Sequence, residues 1–197
     1  TAERRAREGL PSITLNLSAS PFHAGKFAER RGVVERFARR TNTSLCYANL
    51  VGGQDELVFD GGSMVVGPDG SLHAIARRFH EDLLFAEFAH GSFGNAYLGE
   101  PTVSPAPERL EDIRAALVLG TRDYVRKNGF KKVLIGLSGG IDSALTAAIA
   151  VEALGADQVV GVSMPSRFNS AETRSDAARV AASLGIRFLE IPIQQTY

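Results

Sequence analysis

Residues 132–143 read Lys-Val-Leu-Ile-Gly-Leu-Ser-Gly-Gly-Ile-Asp-Ser, an apolar run that halts at two adjacent glycines and resumes with helical texture. Lys132 to Leu137 has the length and composition of a short, fully buried strand. Gly139 and Gly140 let the backbone approach an anion with no Cβ in the way. A helix starting at Ile141 turns its free N–H groups and positive dipole end toward the same point. Ser138 and Ser143 add hydroxyl donors. Asp142 is a carboxylate where a phosphate is expected, and the two repel unless a divalent cation lies between them. The spacing matches neither the Gly-Lys-Ser/Thr phosphate loop nor the dinucleotide fingerprint.

Downstream, the helix is expected to run through Ala153 and close at Gly155, followed by a strand over 158–163. A second helix is predicted from Ser170, a candidate N-cap, to Leu184, with Glu172 and Asp176 in its early turns and Gly185 beyond its end. Residues 187–192 read as a third strand. Upstream, residues 108–127 have helical period and stop at Asn128-Gly129. Strand–helix–strand–helix–strand predicts a doubly wound parallel sheet with right-handed crossovers.

The first half has another texture. Residues 13–17 read as a buried strand, and Phe27, Val34, Phe37 and Ala38 fall at helical spacing with arginines between them. That pattern predicts an amphipathic helix with its arginines in solvent. Residues 44–51, 56–59, 63–66, 72–76 and 82–88 read as short strands, with Asp60-Gly61-Gly62 as a hairpin turn between the second and third. A strand–helix–strand unit followed by a meander predicts a layered α/β sandwich. Glycines and prolines at 91, 94, 99, 101, 105 and 107 predict a linker.

Composition excludes several classes. The chain has 197 residues, 44% hydrophobic and 22% charged, which is ordinary globular composition. Lys and Arg number 22 and so do Asp and Glu, a net charge of zero. Residues 1–40 hold nine Lys/Arg against four Glu, and the helical periodicity there favours a solvated face over a nucleic-acid surface. No apolar run reaches the ~18–20 residues of a membrane span, and no signal peptide opens the chain. A lone cysteine, Cys46, forms no internal disulfide, which fits a reducing, cytoplasmic setting. The chain starts at Thr1 and ends at Tyr197 directly after a predicted strand, so both ends are expected to be cut.

Ser138-Gly-Gly-Ile-Asp-Ser143, between a strand and a helix, resembles the pyrophosphate loop of the N-type ATP pyrophosphatases, the adenine nucleotide α-hydrolase-like proteins. The resemblance implies that Gly136, Leu137, Ser138, Gly139, Gly140, Ile141, Asp142 and Ser143 bind ATP, with Asp142 holding Mg²⁺ through its phosphates. Gly161–Arg167, Asn169–Ala177 and Leu184-Gly-Ile186 are similar to the glutamine-dependent NAD synthetases, and by that likeness Met164 to Arg167 lie near the adenine and ribose. Asn16–Lys26 and Gly52–Ser63 resemble the later part of a nitrilase-like glutaminase domain. The implied organisation is the C-terminal part of a nitrilase-like α/β sandwich over 1–90, a linker over 91–107, and the start of a doubly wound pyrophosphatase domain over 108–197.

By the same resemblance, the intact enzyme amidates deamido-NAD to NAD through an acyl-adenylate, using ammonia from glutamine. Deamido-NAD, glutamine and ATP are its substrates, and the full-length protein is expected to be a homo-oligomer, with no nucleic acid or membrane partner. Ser20 and Lys26 match glutamine-contacting positions. The glutaminase Glu–Lys–Cys triad is expected upstream of the chain, so no catalytic residue is assigned within it. Cys46, inside an apolar strand with no base beside it, reads as a small hydrophobe. His23 reads as a surface or packing residue, and His73, His80 and His90 lack metal-site spacing. Asp55, Glu56 and Asp60 read as turn chemistry, the alternative being that they line the route for glutamine or ammonia. The alternatives are another amidotransferase or thiolating enzyme of the superfamily, and a nucleotide-binding piece without turnover.

Overall fold

Ile13–Ser18 (β1) and Ser44–Asn49 (β2) pair in parallel, with Lys26–Thr41 (α1) as the crossover between them. The computed structural model describes Arg4, Glu8 and residues 13–91, 94–97, 109–165 and 171–193. The chain divides into two units, residues 1–52 with 56–116 and residues 53–55 with 117–197.

In the first unit, Met64–Val66 (β5) runs antiparallel to β2, and Leu72–Ile75 (β6) runs antiparallel to β5. The mixed sheet has the order β1-β2-β5-β6. Helix α1 starts after Gly25, which sits at φ 91°, and ends at Asn42 in the left-handed region at φ 48°. Phe27, Arg30, Val34, Ala38 and Thr41 form its buried stripe, at spacings of three and four residues. Phe27, Val34 and Ala38 meet Leu45, Tyr47, Met64 and Val66 in one core.

Val51–Gln54 (β3) and Leu57–Asp60 (β4) form a separate two-stranded sheet. Asp60-Gly61-Gly62 is therefore not the expected hairpin turn between β4 and β5. Gly61 and Gly62, at φ 63° and 65°, instead carry the chain from one sheet to another. The tight turn lies between β3 and β4, where Asp55 adopts φ 50°. The expected single strand over 44–51 is broken at Leu50, whose N–H donates to Ser18 O at 2.9 Å and whose carbonyl accepts the Gly61 N–H at 2.9 Å.

The strand expected over 82–88 is absent. The Asp82 carboxylate accepts the N–H groups of Arg77 and Leu83 at 2.8 and 2.9 Å, fixing a loop, and these bonds hold its carboxyl below the usual range. Phe88–Gly91 (β7) pairs instead with Gly94–Tyr97 (β8), inside the expected linker. Residues 98–107 of that linker, and the predicted N-cap Ser170, lie outside the described residues.

Arg109–Lys127 (α2) runs through the division between the two units, at Ala116/Leu117. In the second unit, Val133–Gly136 (β9), Val159–Ser163 (β10) and Arg187–Glu190 (β11) form a parallel sheet of order β11-β10-β9. Ile141–Leu154 (α3) and Ala171–Ser183 (α4) supply the two crossovers. Both steps go the same way along the sheet, so right-handed crossovers place both helices on one face. Ala147 and Ala150 of α3, Ala177 and Ala181 of α4, and Val159 share a single core there. The strand at 132–137 was expected to be buried on both faces, but Leu134 is 72% exposed. β9 is an edge strand, and its second face has no cover among the described residues. Among the described residues no helix is long and apolar enough to cross a membrane.

Candidate functional site

The handover from β9 to α3 is built for an exposed loop. The Leu137 N–H donates to Val162 O at 2.8 Å and its side chain is buried, so the strand stays in register up to that residue. Beyond it Ser138, Gly140, Ile141 and Asp142 are exposed. Gly139 takes φ 86°, a left-handed conformation that a side chain would strain, and Gly140 caps α3 with extended backbone at φ −85°.

Hydroxyl groups hold this loop from within. Ser143 Oγ donates to Gly140 O at 2.9 Å and accepts the Ser138 N–H at 3.3 Å, while Ser138 Oγ accepts the Gly140 N–H at 3.2 Å. The two hydroxyl oxygens are 3.2 Å apart. Such closure sets the loop's shape before any ligand arrives, leaving the N-terminus of α3 facing outward with its unsatisfied donors. Asp142 lies in the first turn of α3 with an exposed side chain that has no hydrogen-bond or ion-pair partner among the described residues.

A cleft of about 480 Å³ opens beside the loop, lined by Gly139, Gly140, Ile141 and Ala144 on one side and by Asp176, Arg179, Val180, Ser183 and Leu184 of α4 on the other. Arg179 and Asp176 are ion-paired across one helical turn at 3.3 Å. In the sequence Asp176 is an early-turn acid within the 169–177 likeness, and Arg179 has no assigned role. Their i,i+3 spacing was the available signal. From the segment expected near the adenine and ribose, Met164 is exposed, and its Cε lies 3.8 Å from where a Cβ on Gly136 would stand. Ser166 and Arg167 lie outside the described residues.

The structure places Ser20 and Lys26 in the segment linking β1 to α1. Pro21 bridges Phe59, and the Phe22 N–H donates to Val58 O at 2.7 Å. The Ser20 N–H donates to Asn49 Oδ1 at 3.0 Å. Lys26 is the first residue of α1, its N–H bonded to His23 O at 2.9 Å. Neither the Ser20 hydroxyl nor the Lys26 ammonium has a partner among the described residues. His23 is exposed and sits 3.5 Å from Glu29. Cys46 is half-buried in β2, and burial pushes its thiol up, away from the thiolate form a nucleophile needs.

A buried ion cluster lies in the first unit, at a helix face whose arginines the sequence pattern places in solvent. Arg30, expected in solvent, is 5% exposed and grips Asp60 with both terminal nitrogens, at 2.8 and 2.9 Å. Arg78 reaches the same carboxylate at 3.1 Å and Asp112 at 2.6 Å, while its guanidinium lies 4.6 Å from the centre of the Phe27 ring. Two cations and two anions make the cluster neutral. Arg30 Nε is the buried side-chain atom left without a hydrogen-bond partner among the described residues. Asp60 thus anchors two arginines and has no turn-forming role.

Residues 113–197 match the family model of NAD synthase. Glutamine-dependent NAD(+) synthetases from Aquifex aeolicus and Thermotoga maritima are 40% and 41% identical to the chain, covering 99% and 96% of it. The chain spans 39% and 38% of those proteins' own lengths. A glutamine-dependent NAD+ synthetase from Acinetobacter baumannii, solved in complex with ADP, superposes on 98% of the chain with a TM-score of 0.89 and 38% identity, the match covering 36% of that protein. Residues 113–197 thus carry the NAD synthase match, and over nearly its whole length the chain is similar to part of the glutamine-dependent NAD(+) synthetases.

Proposed function

We propose that the chain is part of a ligase that makes NAD from deamido-NAD, ATP and glutamine. The observation carrying this reading is the loop from Leu137 to Gly140, which turns left-handed at Gly139 and opens the N-terminus of α3 to solvent. A nucleotide's phosphates are the anion that such a terminus suits, and the ADP in the Acinetobacter baumannii structure supports an adenine nucleotide. Gly136 through Ser143 are the proposed ATP contacts.

In the proposed reaction a carboxylate oxygen of deamido-NAD attacks the α-phosphorus of ATP. The bond to the β-phosphate breaks and pyrophosphate leaves. Ammonia then attacks the acyl carbon, and AMP departs with the electron pair of the acyl–oxygen bond. The chain's part is alignment and charge stabilisation, with the N–H groups at the start of α3 facing the pyrophosphate as it takes up charge.

Asp142 fits a role beside Mg²⁺. Its carboxylate is unpartnered among the described residues, and no group of three or more His, Cys, Asp and Glu gathers a closed metal site there. One protein carboxylate completed by phosphate oxygens and water is the usual donor set for this ion. When bound, Mg²⁺ offsets phosphate charge.

Residues 1–90 are assigned to a nitrilase-like glutaminase part, 91–107 to a linker and 108–197 to the pyrophosphatase part. In the first, the Lys26 ammonium at the positive end of α1 suits the carboxylate of glutamine, and the Ser20 hydroxyl offers a second contact. The full-length protein is assigned to the cytoplasm as a homo-oligomer. ATP binding without turnover is the second reading for this piece alone, and the exposed N-terminus of α3 serves it equally.

Calorimetry on the 197-residue chain tests the site. ATP·Mg²⁺ is expected to bind, and Asp142→Asn to weaken binding by at least the roughly tenfold typical even of outer-sphere metal partners. In excess chelator the variant should bind ATP at least as tightly as wild type, because the substitution removes a carboxylate that repels bare phosphate. A wild-type chain that ignores ATP overturns the assignment. For the full-length protein, AMP release dependent on xanthylate or tRNA in place of deamido-NAD would favour the rival amidotransferase or thiolating reading.

A further inference from the structure

Asn49 is the last residue of β2, and its amide ties the Ser20 backbone to Gly61, beside the point where the Pro21–Phe59 bridge brings the two segments together. Its Oδ1 accepts the Ser20 N–H at 3.0 Å and its Nδ2 donates to Gly61 O at 2.9 Å. Ser20 N–H can only donate and Gly61 O can only accept, so this arrangement fixes which way round the amide stands. The Asn49 N–H is itself held by Ser63 Oγ at 3.0 Å. Gly61 O also takes a bond from Arg30 Nη2 at 3.1 Å, and Arg30 is locked on the fully buried Asp60. The amide thus rests at one end on a buried ion cluster and at the other on Ser20.

We propose that Asn49 is a positioning residue for glutamine use, setting the Ser20 backbone and so the direction of its unpartnered hydroxyl. The inference rests on the reading of Ser20 as a glutamine contact. Only a side-chain amide performs this task. A carboxylate would accept from Ser20 but face Gly61 O with a second acceptor, and an aliphatic side chain would leave both groups without it.

The test uses the full-length enzyme carrying these residues, assayed for NAD formation with glutamine and, separately, with ammonium as nitrogen source. Asn49→Leu is expected to raise the KM for glutamine roughly tenfold, the worth of one such bond and its unsatisfied partner. The ammonium-supported rate should stay within about twofold of wild type. Asn49→Asp, which retains the acceptor, should fall between. An unchanged KM in Asn49→Leu overturns the proposal. So does an equal loss with both nitrogen sources in Asn49→Leu and Asn49→Asp alike, which marks a purely structural role. If Ser20→Ala leaves the KM for glutamine unchanged, the reading of Ser20 fails and this inference with it. A Ser20→Ala effect without an Asn49 effect sinks the positioning role alone.

Discussion

Asp60 has no exposed surface and binds two arginines, whereas Asp112 binds one and keeps 11% of its side chain exposed. Removing the charge at Asp60 leaves the buried Arg30 without a carboxylate and Arg78 with Asp112 alone, and breaking a buried pair costs about 3–5 kcal/mol. Asp60→Asn is therefore expected to lower the stability of the first unit by about that amount in urea unfolding. Asp112→Asn should cost about 1–3 kcal/mol, the range for a buried group that loses one charged partner. Equal losses would show that the two acids do not share the cluster as the distances imply. The cluster was partly legible. Residues 27, 30, 34, 38 and 41 make a helical stripe, and Arg30 falls on it. The expectation of solvent came from its side-chain type, but the stripe position outweighed it because Asp60 supplies a bidentate partner. Nothing in the local pattern names a partner thirty residues away.

At the scale of the element, the strand–loop–helix at 133–154 was legible because it is local. An apolar run, two glycines and a helical period fix it without knowledge of the rest of the chain. The pairing of β4 with β3 in place of β5 was not legible, since Asp60-Gly61-Gly62 has hairpin composition whether or not its flanking strands meet. The loop's glycines allow a separation of folding from binding. Gly139 at φ 86° and Gly129 at φ 74° both sit where a Cβ costs about 1–2 kcal/mol. Gly129→Ala, at a position with no atom within 4 Å of the new Cβ, is expected to cost stability alone. Gly139→Ala should cost a similar amount and also weaken ATP binding, because the N–H groups around it change direction. Thermal unfolding and nucleotide titration of both variants measure this. Equal ATP affinity in the two would remove Gly139 from the site.

For the molecule as a whole, periodicity located most elements, whereas sheet order and edges depend on pairings that periodicity does not encode. Ile13, Leu15 and Leu17 alternate as a buried strand should, yet they are 37%, 74% and 88% exposed. They share one face of β1, which among the described residues is an edge strand paired with β2. An apolar face on an edge strand favours association, and a net charge of zero supplies no long-range repulsion against it. The 197-residue chain is therefore expected to associate reversibly near pH 7, to an extent that rises with concentration. The double substitution Leu15→Lys with Leu17→Lys adds two charges on that face and removes none of the first unit's buried core, which centres on Met64 and Val66. It should restore a concentration-independent scattering mass while leaving the unfolding midpoint close to wild type. Association that persists undiminished in the double variant would move the responsible surface away from β1, to another exposed apolar position such as Leu134.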